Sequence, residues 1–246
     1  FLAIAFPKVI FGLHTLFYRD FGVLAYPSIF YHHQSFWHGE LPLWNPLSNC
    51  GAPFLAQWGT MVLYPFSLFY LLLPLPWSVN FFCLAHLFWA GLGMYFLAAR
   101  WTENRFAASL AGIAFVFNGV TLSCLLWPNY LVALGWMPWV ILWAERAARD
   151  GGRSTVAAAL VATMQMLSGV PEIVLLTWLV IACLWIETVA RKSVPSGRLI
   201  ARTVPIIVLV SGLMTAQLLP FLDLLAHSQR GLGFATSKWA MPLWGW

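Results

Sequence analysis

Residues 78–99 read SVNFFCLAHLFWAGLGMYFLAA, a run without a charged side chain that stops at Arg100. An α-helix rises ~1.5 Å per residue, so this run alone reaches across the ~30 Å hydrocarbon core of a bilayer. Further apolar runs follow at 106–127, 130–145, 154–170, 173–190 and 199–222, and residues 1–17 look like the end of an earlier one. The pattern predicts an all-α, polytopic transmembrane helical bundle, organised as a single membrane domain over residues 1–246. Composition agrees: 61% of the residues are hydrophobic and 9% are charged, whereas a soluble domain of this size carries about a quarter charged residues.

The connections carry the orientation signal. Arg100 and Arg105 lie in one, Arg146, Arg149 and Arg153 in another, and Arg191, Lys192, Arg198 and Arg202 in a third. The alternate connections, WPNY at 127–130 and GVPEI at 169–173, hold no Lys or Arg. By the positive-inside rule the Arg-rich connections face the cytoplasm. A long first outer loop, 18–77, and the start of a further outer loop, 223–246, then face outside.

The run MVLYPFSLFYLLLPLP at 61–76 does not fit as a span, because counting it would invert every later connection. Its prolines limit any helix to a brief one. It reads as a juxtamembrane helix in the interface, like 24–38 earlier in the same loop. The formal charge of +5 is therefore a topology signal, and nucleic acid is not an expected partner; the lipid bilayer is.

Two further readings bound the class. The chain opens on Phe1 and stops at Trp246 inside a polar, Trp-rich segment, as a piece of a longer protein would, and no basic n-region precedes the first apolar run. Cys50, Cys83, Cys124 and Cys183 are scattered without metal-ligand spacing and read as packing residues.

Charge near hydrocarbon is costly, so acids are the useful filter. Glu103, Glu145, Asp150 and Glu187 lie beside the cytoplasmic arginines and read as solvated ion pairs. Asp20, Glu40, Glu172 and Asp223 fall on the outer side, each at or near the end of a span. Asp20 sits next to Arg19 among aromatics. Its carboxylate suits a general base for an acceptor hydroxyl or a ligand for a divalent metal; an Arg19–Asp20 anchor or a helix cap is the structural alternative. Glu172 follows Pro171 in a tight turn. It reads either as a substrate contact, sharing a face with Gln165 if the helix is unbroken, or as a helix-start carboxylate favoured by the macrodipole. Asp223 pairs with Arg230 or His227, or simply ends its span; Arg230 is an outer base suited to an anion or phosphate. Glu40, in GELPLWNP, reads as a turn residue.

His32, His33 and His38 lack the i, i+4 spacing of a helical metal pair, and His86, inside a span, reads as an interhelical hydrogen bond. No compact metal motif is present in the sequence. Asn118, Trp127, Asn129, Tyr130 and Trp136 form a polar-aromatic set near the outer ends of two spans. It reads as a sugar-binding surface or as an ordinary aromatic belt.

Taken in order, RDFGVLAYP, GELPLWNP, CGAPFLAQWGTMVLYP, HLFWAGLGMYFLAAR, AGIAFVFNGV, WPNYLVALGWMPWVILWAERA, SGVPE and QLLPFLDLLAHSQR resemble the bacterial YfhO-type membrane proteins across essentially the whole chain. The match departs at SGVPE, where many members carry Gly-His-Pro-Gln. The resemblance implies a GT-C-like fold with a long first extracytoplasmic loop and juxtamembrane helices. It implies a glycosyltransferase of the bacterial inner membrane, acting outside on a cell-envelope polymer or lipid acceptor with a polyprenyl-phosphate sugar donor. The acidic residue that opens the first outer loop, catalytic in similar enzymes, matches Asp20 here. Arg19, Trp44, Asn45, Asn129, Tyr130, Glu172, Asp223 and Arg230 are the expected substrate contacts, and a divalent metal is compatible with the site but not required. The alternative is a lipid-linked sugar transporter or envelope-assembly protein without catalysis.

Overall fold

A computed structural model describes residues 1–16, 18–48 and 50–228. Two short helices, Leu2–Ala5 (α1) and Pro7–Ile10 (α2), open the chain. The N-terminal run therefore does not continue as one helix. Phe6 leaves helical geometry and Pro7 starts a new turn, where its missing N–H costs nothing. A π-helical turn at Phe21–Ala25 leads into Tyr26–Trp37 (α3). The run at 61–76 holds a 3-10 turn at Pro65–Ser67 and a five-residue helix, Leu68–Leu72 (α4). Between them, Trp44–Asn45 pairs antiparallel with Ala52–Pro53, the one piece of sheet among the described residues.

The bundle follows: Trp77–Thr102 (α5), Arg105–Phe117 (α6), Gly119–Ser123 (α7), Pro128–Asp150 (α8), Arg153–Met166 (α9), Pro171–Ala190 (α10) and Ser196–His227 (α11). A 3-10 turn, Cys124–Leu126, follows α7. Local chemistry sets the boundaries. Asn104 caps α6 by accepting from the N–H groups of Phe106 and Ala107. Pro128 and Pro171 occupy the first turns of α8 and α10, where proline is pre-organised. The chain reverses between α9 and α10 through Gly169 at φ +71°.

Helix α8 is the centre. It packs on α5, α9, α10 and α11 and buries most of its length, from Leu131 to Ala148. Helices α5 and α6 cross at glycines: a Cβ on Gly112 would stand 2.7 Å from the Gly91 carbonyl oxygen, the close backbone approach that membrane helices use in place of a hydrophobic drive.

The outer helices bury little. Thr177 and Ile181 are the buried residues of α10, while Leu175, Leu176, Leu179 and Ile186 are exposed. Val204, Ile207, Val208 and Leu213 stand out from α11 in the same way. So much contiguous apolar surface has no stable home in water, and lipid is its solvent. Four segments among the described residues are long and apolar enough to cross a membrane: α5, Arg105–Leu126, α10 and α11. The protein is an all-α, multi-pass membrane protein.

The two ends of the bundle differ. The α5–α6, α8–α9 and α10–α11 connections share one end, with Arg100, Arg105, Arg149, Arg153, Arg191 and Arg198 in or beside them. The opposite end carries the first loop and is rich in aromatic residues.

Candidate functional site

The first loop is fastened to the aromatic end by partners far away in sequence. The Trp58 indole N–H donates to the Met166 carbonyl at the end of α9, 2.8 Å away. Its ring lies against Phe221 of α11, with centroids 5.0 Å apart. Gln217 of α11, 1% exposed, donates to the Leu55 carbonyl at 2.7 Å. Gly169 closes the clamp: a Cβ there would fall 2.3 Å from the Trp58 carbonyl carbon and oxygen, so only glycine admits this contact. Two helices, α9 and α11, and the turn after α9 therefore hold residues 55–59 against the end of the bundle.

Two clefts open beside that clamp, sharing Gln57, Gly59 and Asn129 along their common border. The larger, about 570 Å³, is walled by Trp58 and Phe221 and lined by Gln57, Asn129, Tyr130 and Glu172. The smaller, about 200 Å³, runs along Leu24, Ser28 and Trp127. Glu172 stands in the first turn of α10, and its carboxylate lies beside the Tyr130 phenol. No basic side chain is among the described residues lining either cleft. Amides, a phenol, a carboxylate and ring faces suit a neutral, hydroxyl-rich ligand, and an anion would find no counter-charge there.

Asp20 lies beside the smaller cleft. Trp127, a cleft residue, donates its indole N–H to Asp20 Oδ2 at 3.1 Å. Asp20 stands at the N-cap position of the π-helical turn without a capping bond from its side chain, and no Arg19–Asp20 ion pair forms among the described residues. Oδ1 is left without a hydrogen-bond partner among them.

Of the residues expected at the site, Asn129, Tyr130 and Glu172 meet in one cavity, with Asp20 next to its neighbour. The others stand apart. Trp44 and Asn45 form the short strand; the Trp44 carbonyl accepts from Tyr31 at 2.7 Å and the Asn45 side chain accepts from the Leu47 N–H. Arg19 is exposed in left-handed backbone at φ 46°. Asp223 is exposed and pairs with His227 at 3.4 Å, because α11 turns Phe221, Leu224, Leu225 and Ser228 to the cavity and leaves Asp223 off that face. Arg230 lies outside the described residues. Gln165 does not share a face with Glu172: α9 ends at Met166, and Gln165 is buried, donating to the Ala133 carbonyl and to Thr177. Asn118 is used in capping α7.

Two of the histidines, His86 and His32, are buried among aromatic side chains. His86 Nδ1–H donates to the Phe82 carbonyl, which leaves Nε2 to accept from the Tyr64 hydroxyl at 2.7 Å; Tyr64 accepts in turn from the Trp136 indole at 2.8 Å. This chain ties the first loop to two bundle helices. His32 is 4% exposed and stands 3.4 Å from the Tyr70 hydroxyl. Burial, with His33 next to it, holds its pKa down to about 4. Among the described residues no three His, Cys, Asp or Glu side chains come together as a metal ligand set.

Sequence reasoning missed Gln57, Trp58, Gly169, Gln217 and Phe221. SGVPE contained the one local clue, a glycine just before a helix-starting proline. Compared with known proteins, the chain matches no family model, no curated protein and no solved structure.

Proposed function

We propose that the protein is a membrane glycosyltransferase. It moves a sugar from a polyprenyl-phosphate donor to an extracytoplasmic envelope acceptor at the aromatic end of the bundle, and the fold is of the GT-C type. The observation that carries this reading is Asp20, held at 3.1 Å by Trp127 beside a pair of clefts lined by amides, ring faces and Glu172. A sugar packs its CH-rich face on Trp58, Phe221 or Tyr130, while Asn129, Gln57 and Glu172 take its hydroxyls.

In the proposed reaction the acceptor oxygen attacks the anomeric carbon as the bond from that carbon to the phosphate oxygen breaks. Asp20 Oδ1 takes the hydroxyl proton, and polyprenyl phosphate departs with the electron pair. Configuration inverts. The described lining of the clefts supplies no positive charge, so the phosphate stays outside them, and Arg19 is the candidate counter-charge. The sequence resemblance supports this assignment.

The test uses full-length protein in liposomes with labelled polyprenyl-phosphate hexoses. Release of sugar to water or to envelope acceptors by the parent, and its loss in a folded, donor-binding Asp20→Asn variant, is the expected result. Movement of intact lipid-sugar between leaflets without release would replace this reading with the transporter.

A further inference from the structure

The basic end of the bundle holds a third cavity that the proposed chemistry does not use. It measures about 510 Å³ and lies where α5, α8 and α10 end, lined by Arg100, Trp101, Glu145, Arg149, Glu187 and Arg191. Its charges are unevenly matched. Arg191 and Glu187 form a tight pair at 2.7 Å. Arg100 and Arg149 instead share the single carboxylate of Glu145 at 3.8 and 3.7 Å, beyond hydrogen-bond reach. Glu145 is further occupied by the Trp101 indole N–H at 3.0 Å. Two guanidinium groups therefore face the notch with donors that no described side chain takes up.

Helix ends explain some arginines, since the C-terminal dipole attracts cations. At α8 that place is filled by Arg202, which donates to the carbonyls of Ala148 and Arg149, both at 2.7 Å. Arg149 and Arg100 are left for another partner. The surroundings say what kind. Trp101, 47% exposed, and Leu184 line the notch, while Ile186 at 69% and Val189 at 38% stand out from the other face of α10, a helix that lipid must cover. A polar, net-positive notch at the level where spanning helices end, lined also by Trp101 and Leu184, has the layout of a phospholipid: phosphate at the arginines, acyl chains along α10.

We propose that this notch binds the phosphate of an anionic phospholipid of the surrounding leaflet, with Arg100 and Arg149 as its principal contacts. The site is independent of the reaction at the other end.

The test uses the full-length protein, delipidated in neutral detergent and titrated with phosphatidylglycerol, phosphatidylcholine or soluble glycerol phosphate. The readouts are retained lipid by native mass spectrometry and the shift in Tm. Phosphatidylglycerol should be retained and should raise Tm, and the other two should do neither. Removing each arginine should weaken retention about fivefold, so Arg100→Gln/Arg149→Gln should show about 25-fold loss, while Arg105→Gln, outside the notch, keeps the parent's value. Should the double variant fail to fold, Arg149→Gln alone gives the same readout from a side chain 57% exposed. Equal retention of phosphatidylcholine, or parental retention by the arginine variants, overturns the site. Protection by glycerol phosphate equal to that by the lipid overturns the lipid as its source.

Discussion

The aromatic and basic ends of this bundle use polar groups in opposite ways. At the basic end, Glu145 and Glu187 both stand in ion pairs with arginines. At the aromatic end, Asp20 and Glu172 have no such partners among the described residues; indole, phenol and amide groups surround them instead. A carboxylate kept near a membrane without a cation is costly, and it is retained where something other than stability requires it. The difference supports the proposal that the chemistry lies at the aromatic end.

That contrast can be broken by substitution. The largest effect belongs to Asp20→Asn: loss of a general base lowers turnover by about 10²–10⁴-fold, with melting unchanged because the Trp127 bond is kept. Turnover at the parental rate would end the asymmetry between the two ends.

Next comes the clamp. Gly169→Val places a branched Cβ at φ +71°, where glycine is favoured, and into backbone atoms 2.3 Å away. Strain and overpacking together should cost about 3 kcal/mol, read as a lowered Tm and as faster proteolysis between residues 50 and 60. A silent substitution would show that the loop is not held as described.

A similar magnitude attaches to His32 through pH. Its pKa is about 4 in the fold against 6.5 when free, so between those values the unfolded chain binds the proton and the folded chain does not. Stability is therefore full above pH 6.5 and falls as the pH drops towards 4, by about 3 kcal/mol in all. His32→Gln should flatten that part of the pH–stability curve. A wild-type slope in the variant would assign the effect elsewhere.

The smallest change is expected at the basic end. Glu145→Gln keeps an acceptor for Trp101 and loses two long ion pairs to partly exposed arginines, a change of about 1 kcal/mol or less in thermal unfolding. A loss several times larger would make that end as constrained as the clamp.

Much of the bundle was legible because one-dimensional signals are strong here. Apolar runs became helices, Pro128 and Pro171 started two of them, and prolines at 65, 74 and 76 foretold the shortness of α4. Asn129, Tyr130 and Glu172 were legible because each flanks a short turn at the same end. What the sequence hid depends on distance and on helix phase. Trp58 meets Met166 and Gln217 meets Leu55 across 108 and 162 positions, and no local pattern announces such pairs. Asp223 was misleading because a charge at a span end does not tell which face of the helix it occupies. Gln165 and Glu172 separated because the break at Gly169 resets the helical phase between them.

The central claim, that chemistry belongs to the aromatic end, is tested most directly by one paired assay. Asp20→Asn and Arg105→Gln, one from each end, are reconstituted at equal folded amounts with a labelled polyprenyl-phosphate hexose, and released sugar is followed. Release retained by Arg105→Gln and lost by Asp20→Asn is the predicted result; equal release by both would contradict it.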